Sequence, residues 1–312
     1  MPSADGVSEE APTARTIPGL SPTLQRRARG LFRVLTALSP ALAARIAANL
    51  FVTPRTRPIS TGEAQFLATA ASRRLTTTHG EIQVYEWAGA GPTVLVLHGW
   101  ISHAARLEPV ITALRAYGLR VVAFDAPAHG RSRGIQADLD SFREALRRVS
   151  HSCGPIAAIL AHSFGALTAV SWLAEDASAA SVRAAVLVGL PRDVGYLFES
   201  FSIALGLRAD VIARVRSVFH ARYGRFPEQY SALALAPRIH IPVLLVHGSA
   251  DELVPAAQAA QIVSQLQDGG LQVVPGLNHS EPLRDPGTVA LMSAFIAERL
   301  TKSSGAQTAP AH

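Results

Sequence analysis

Sulfur is scarce in this chain of 312 residues, which has one cysteine, Cys153, and two methionines. A lone thiol excludes an internal disulfide and a cysteine-built zinc site. No run reaches the roughly 18 uncharged apolar residues that a membrane span needs, although 48% of the residues are hydrophobic and only 17% are charged. Residues 1–19 are polar and Pro-rich, without the apolar centre of a signal peptide, so the expected location is cytoplasmic. Acid is missing from one stretch: residues 11–60 hold eight arginines and no Asp or Glu, whereas residues 1–10 hold three acids. The first sixty residues therefore carry +5 of the net +6, and the rest of the chain is nearly neutral. That distribution does not support a general nucleic-acid role. There is no internal repeat.

The length allows one large core with room for a subdomain. Strand patterns fall near residues 82–87, 93–98, 120–124, 156–161, 184–189, 242–247 and 271–274. Helical patterns fall near 103–117, 137–150, 164–175, 256–267 and 287–300. This alternation implies right-handed crossovers and an α/β fold around a mostly parallel, doubly covered sheet.

One segment of that alternation carries chemistry. Ala161-His162-Ser163-Phe164-Gly165 joins a buried-strand pattern, Pro155 to Leu160, to a small-residue helical run, Ala166 to Leu173. A serine held between strand end and helix start by small residues reads as a nucleophile elbow. The hydroxyl is pushed out of the sheet to a helix N-terminus, where backbone N–H groups are free and the dipole favours negative charge. A serine nucleophile needs a base, and the base needs an orienter. The buried-strand run Pro242 to His247 leads into a loop carrying Asp251, and Leu271 to Val274 leads into a loop carrying His279. Parallel sheets gather their sites at strand C-termini, so Ser163, Asp251 and His279 are expected along one edge.

These segments resemble the α/β-hydrolase family. Val94-Leu95-Val96-Leu97-His98-Gly99-Trp100 is similar to the family's third strand and His-Gly-X oxyanion loop, and Phe124 to Ser132 to the loop after its fourth strand. The match covers about residues 80–300, with five motifs in order; the one departure is Ala161, where the elbow usually has glycine. The resemblance implies the α/β-hydrolase fold over residues 61–300, with residues 192–240 as a small helical cap. It implies a triad of Ser163, Asp251 and His279, oxyanion donors in the backbone N–H groups of Trp100 and Phe164, and no metal or organic cofactor. Serine at the elbow, where dehalogenases and epoxide hydrolases of this fold carry aspartate, points to acyl transfer to water. A serine hydrolase cleaving a small, largely apolar carboxylic ester is the expected activity. Carbon–carbon bond hydrolysis, thioester cleavage, acyl transfer and a non-catalytic binding protein stay open.

Other residues compete for these roles. Glu252 adjoins Asp251, and Asp193 follows the preceding strand, so both are rival acids. Asp125, His98 and His162 are read as structural, and His129 and His247 lie at strand ends without the late position of the base. Trp100 is expected either to line the acyl pocket or simply to pack. The cap holds Tyr196, Phe198, Phe201, Phe219, Tyr223, Phe226 and Tyr230, in a chain that is only 6% aromatic. These rings are expected to form the cap's own core, with some of them walling an apolar pocket.

The extension at residues 1–60 has its own pattern. Ser21-Pro22 and Ser39-Pro40 are N-cap and N1 signals that predict helices over 22–38 and 40–51. Leu31, Val34, Leu35 and Leu38 form an apolar stripe on the first, and Leu42, Ile46 and Leu50 on the second, with Arg26, Arg27 and Arg33 largely off the stripe. Packing of these stripes against the hydrolase body is the favoured reading. Peripheral membrane contact through residues 22–51 and a dimer contact are the lesser alternatives. The tail 301–312 is expected to be disordered.

Overall fold

The computed structural model describes residues 20–305, the last four by their backbone alone. An eight-stranded sheet forms the centre: β1 (Ala71–Thr77), β2 (Gly80–Trp87), β3 (Thr93–Leu97), β4 (Arg120–Phe124), β5 (Ile156–His162), β6 (Ala184–Val188), β7 (Val243–Gly248) and β8 (Gly269–Val274). Eleven α-helices accompany them: α1 (Pro22–Leu38), α2 (Pro40–Phe51), α3 (Thr61–Ala68), α4 (Glu108–Ala116), α5 (Leu139–Cys153), α6 (Phe164–Glu175), α7 (Val194–Leu205), α8 (Ala209–Tyr223), α9 (Ala232–Leu235), α10 (Ala256–Val263) and α11 (Pro286–Gly305). No described helix is long and apolar enough to cross a membrane.

The strand order is β1-β2-β4-β3-β5-β6-β7-β8. The pairs β1–β2 and β2–β4 are antiparallel, and every other pairing is parallel. The inner strands β3, β5 and β6 are buried along their whole length, as expected of parallel strands covered on both faces. One core packs α5 and α6 against one face, around Phe124, Phe142, Leu167 and Trp172. A second core packs α4 and α11 against the other face, around Val96, Ile111, Met292 and Ile296.

The sheet gains one strand over the seven expected. β1 is a mostly exposed edge strand, Ala-Ser-Arg-Arg-Leu-Thr-Thr, whose sequence lacks a clear apolar alternation. It closes a hairpin onto β2 through Thr78-His79, with Thr77 paired to Gly80. Helix α3 is also additional. Its start was legible as Ser60 and Glu63, which form a reciprocal capping box. The expected helix over 103–117 is a short 3₁₀ turn followed by α4. At the far end, residues 301–305 continue α11 instead of starting the expected disordered tail. Residues 1–19 and 306–312 lie outside the described residues.

A third, smaller core lies apart from the sheet. Ala43, Ala44, Ala47 and Ala48 of α2 meet Phe198, Leu205, Val211, Val215 and Phe219 of the cap helices α7 and α8. Phe51 inserts its ring edge-on between Phe198, Phe201 and Phe219, at 5.3–5.6 Å between centroids. The extension thus packs chiefly on the cap. It does so with faces other than the expected ones: α1 buries Gln25, Phe32 and Thr36, and α2 buries its alanines. Small side chains let α2 approach α8 closely, and Leu42 and Leu50 are left exposed. Gln25 and Arg29 donate from their side chains to the Ala204 carbonyl near the C-terminus of α7, where cationic and amide donors meet unpaired carbonyls.

Candidate active site

Ser163 sits at the turn from β5 into α6 with φ 53 and ψ −120, a left-side conformation that costs a non-glycine residue energy. The surroundings hold it there. The Ser163 N–H donates to the Val188 carbonyl at 2.8 Å, and its carbonyl accepts from Leu167 N–H. Close approach explains two glycines. A Cβ on Gly165 would lie 2.3 Å from the His98 carbonyl oxygen, and one on Gly99 would lie 2.9 Å from the Ser163 Cβ. Ala161 sits fully buried on β5 within the core, so the extra methyl fits where the family pattern has glycine.

The structure brings together the three residues read from the sequence. His279 Nε2 lies 2.8 Å from Ser163 Oγ, and His279 Nδ1 lies 2.7 Å from Asp251 Oδ2. Asp251 is buried and fully bonded: Oδ1 accepts from the Leu253 and Val254 N–H groups, each at 2.9 Å. Burial works against its charge, but hydrogen bonds from His247, His279 and Val254 prevail and hold the carboxyl below the usual carboxylate range. An anionic Asp251 keeps the proton on His279 Nδ1 and leaves Nε2 as the acceptor facing the hydroxyl.

The rival residues are placed elsewhere. Glu252 is exposed. Asp193 caps α7, accepting from Tyr196 N–H, and pairs with Arg192 at 2.9 Å. Asp125 is buried under the loop after β4 and accepts from Tyr85 Oη and from the Ala104 and Arg131 N–H groups. His98 donates from Nδ1 to the Gly99 carbonyl and accepts at Nε2 from Ala126 N–H, tying the loop after β3 to the loop after β4. His129 donates from Nδ1 to the Pro127 carbonyl and accepts at Nε2 from Ile101 N–H. Both are neutral: burial lowers His98 to about 4 and His129 to about 3.

Two histidines have partners that sequence reading missed. His247, at the end of β7, places Nε2 3.0 Å from Asp251 Oδ2 and 2.7 Å from the Val254 carbonyl. It supports the same carboxylate oxygen that His279 uses, and its spacing of four residues from Asp251 was the available signal. His162 Nε2 donates to the His279 carbonyl at 3.0 Å, holding the backbone of that loop. Burial, with His279 nearby, lowers His162 to about 3. Nothing in the sequence links positions 162 and 279.

Phe164 opens α6 at N1, so its N–H has no acceptor within the helix. Trp100 N–H, on the loop after β3, makes no hydrogen bond among the described residues. The Trp100 ring packs edge-on against Phe164 at 5.2 Å and also lines the cavity, so both expected roles are present. That cavity, about 880 Å³, reaches Ser163 and His279. Its apolar wall comes from the cap (Leu197, Phe201, Phe219) and, unexpectedly, from the extension (Leu24, Leu50, Phe51). Among the described residues, no group of three or more His, Cys, Asp or Glu side chains is placed to hold a metal.

Known proteins resemble this chain in sequence and fold. The family model described as serine aminopeptidase, S33, matches residues 90–216. A monoacylglycerol lipase of Mycolicibacterium smegmatis is 29% identical, over 60% of this chain and 80% of the relative. A non-heme haloperoxidase of Rhodococcus erythropolis is 24% identical, over 64% of this chain and 89% of the relative. The crystal structure of an esterase from Rhodococcus sp. ECU1013 superposes with a TM-score of 0.56 at 20% identity, covering 73% of this chain and 98% of that one. With this sheet order, this elbow and these likenesses, the chain has the α/β-hydrolase fold and is similar in sequence to members of that superfamily.

Proposed function

We propose that the protein is a serine hydrolase that cleaves a carboxylic ester with a largely apolar acyl group through an acyl-enzyme. The observation that carries this reading is the relay from Asp251 through His279 to Ser163, at 2.7 and 2.8 Å, opening onto the apolar cavity. His279 Nε2 takes the Ser163 proton as the hydroxyl attacks the carbonyl carbon, and Asp251 stabilises the imidazolium that forms. The N–H groups of Phe164 and Trp100 receive the developing oxyanion, with the N-terminal dipole of α6 adding to the first. His279 then returns the proton to the leaving alkoxide. A water deprotonated by His279 releases the acid and restores Ser163. The cavity volume lies within the roughly 300–1,000 Å³ range of sites that enclose a small organic ligand.

A fluorophosphonate probe tests the nucleophile. Wild-type protein is expected to be phosphonylated on Ser163 and Ser163→Ala to stay unlabelled. Persistent labelling of the variant would place the nucleophile elsewhere, and a wild type that is neither labelled nor active on short p-nitrophenyl esters would favour a binding protein. Parallel assays with esters of rising acyl length, a thioester and a diketone separate the ester reading from its same-fold rivals. Asp251→Asn presents an amide N–H toward the two imidazoles and favours the wrong His279 tautomer. Its kcat is expected to fall about 10⁴-fold, and a loss below tenfold in steady-state assays would remove Asp251 from the relay.

A further inference from the structure

The helical pair α1–α2 leaves several of its long apolar residues in solvent. Leu31 and Val34 are each 57% exposed, Leu38 is 78% and Leu42 is 48%. On α1 the spacing Leu24, Arg27, Leu31, Val34 and Leu38 follows one helical line, away from the face that buries Gln25, Phe32 and Thr36. Leu38 and Leu42 flank Ser39, which ends α1 and caps α2. Most of the sequence stripe expected to pack therefore faces outward, with Leu35 and Ile46 half-buried against the cap.

The charge around this stripe has one sign. Arg26, Arg27, Arg33 and Arg45 are exposed beside it, and residues 11–60 contain no acid to pair with them. Exposed arginines Arg55, Arg57 and Arg284 line the cavity, with half-buried Arg106 among them. Burial, and then the charges of Arg284 and Arg57, depress Arg106 even though Glu63 lies 3.9 Å from it, so three guanidinium groups share a region with one carboxylate. Leu24 and Leu50, both exposed, line that cavity as well, so the apolar stripe runs on into it. A surface of long apolar side chains flanked by an excess of cations complements an interface that is apolar within and anionic at its face.

We propose that the outer face of α1–α2 docks on an anionic lipid surface and that the cavity opens toward that surface. Leu31, Val34, Leu38 and Leu42 insert below the headgroups while Arg26, Arg27, Arg33 and Arg45 bind phosphates. Adsorption needs no chemistry at Ser163, so it stands or falls apart from the ester-hydrolase reading.

Cosedimentation of the full chain with vesicles of phosphatidylcholine, with and without phosphatidylglycerol, tests this. Binding is expected only with the anionic lipid and is expected to weaken as salt is raised. Arg27→Gln and Arg33→Gln are each expected to weaken it about fivefold, and Leu31→Glu with Leu38→Glu at least about tenfold. Melting temperature and turnover of a water-soluble ester should be unchanged in all four substitutions, which shows that the fold survives. Absence of binding by the wild type, or equal binding by these variants, overturns the proposal. So does a wild-type dimer that Leu31→Glu splits while anionic vesicles remain unbound, because a second copy would then be the occupant.

Discussion

His279→Ala is expected to lower kcat for ester hydrolysis by about 10⁶-fold while leaving the fold and KM nearly unchanged. The size of the loss follows from the absence of a substitute base. His162 is the nearest other imidazole, with ring centres 4.9 Å apart, but its Nε2 proton is committed to the His279 carbonyl. His98 and His129 each use both ring nitrogens in loop hydrogen bonds. His247 turns its Nε2 toward Asp251 and the Val254 carbonyl. The small structural cost follows from the same map. Asp251 keeps the two amide donors of Leu253 and Val254 together with His247, so truncation leaves no carboxylate buried without partners. Steady-state kinetics of the purified variant give the answer, and turnover within tenfold of wild type would mean that another group takes the Ser163 proton.

The sequence made this arrangement legible because Ser163 and Asp251 each follow a buried-strand pattern and His279 follows a short strand, β8. Strands β5, β7 and β8 run parallel in one sheet, with β6 between β5 and β7, so their C-terminal loops had to share an edge. Ser163 was further marked by the small residues beside it, of which Gly165 is required because any Cβ there would collide with the His98 carbonyl. What stayed hidden depends on contacts between distant segments. β1 has little apolar alternation because it is an exposed edge. The stripes of α1 and α2 had the right helical period, but period says which residues share a face and not which face is covered. Four alanines of α2 win the buried side because only small residues allow close packing on α8. The same contact makes the extension part of the cavity wall, a role that its own composition does not signal.

Between about pH 7.5 and pH 5 the folded state is expected to lose about 6 kcal/mol of stability through three histidines, His98, His129 and His162. Each is buried and lowered, to about 4, 3 and 3 respectively, from an unfolded value near 6.5. The sign follows directly. Above pH 6.5 neither state binds these protons and the contribution is fully present. Below it the unfolded chain takes up three protons that the folded chain refuses, so stability falls by about 1.4 kcal/mol per unit for each histidine until the folded values are reached. At pH 5 none of the three folded values has yet been reached, each lying at least about a unit lower, so the loss of about 2 kcal/mol each is insensitive to their exact size. Burial also raises Asp125 and lowers its neighbour His103, and those two shifts contribute with opposite signs. The depressed carboxyls, among them Asp251, Glu63, Glu86, Glu144, Asp176 and Asp285, start from ordinary values of 3.8–4.5 and add their own loss only below that range. A loss of this size is a large share of the roughly 5–15 kcal/mol that keeps a domain folded. It is located in the loops that hold Ser163, Trp100 and His279 in place. Urea unfolding at the two pH values, with proton uptake on unfolding measured near pH 5, checks it. A stability difference under about 2 kcal/mol, or uptake of fewer than about two protons, would show that these imidazoles are charged or solvated in the folded protein.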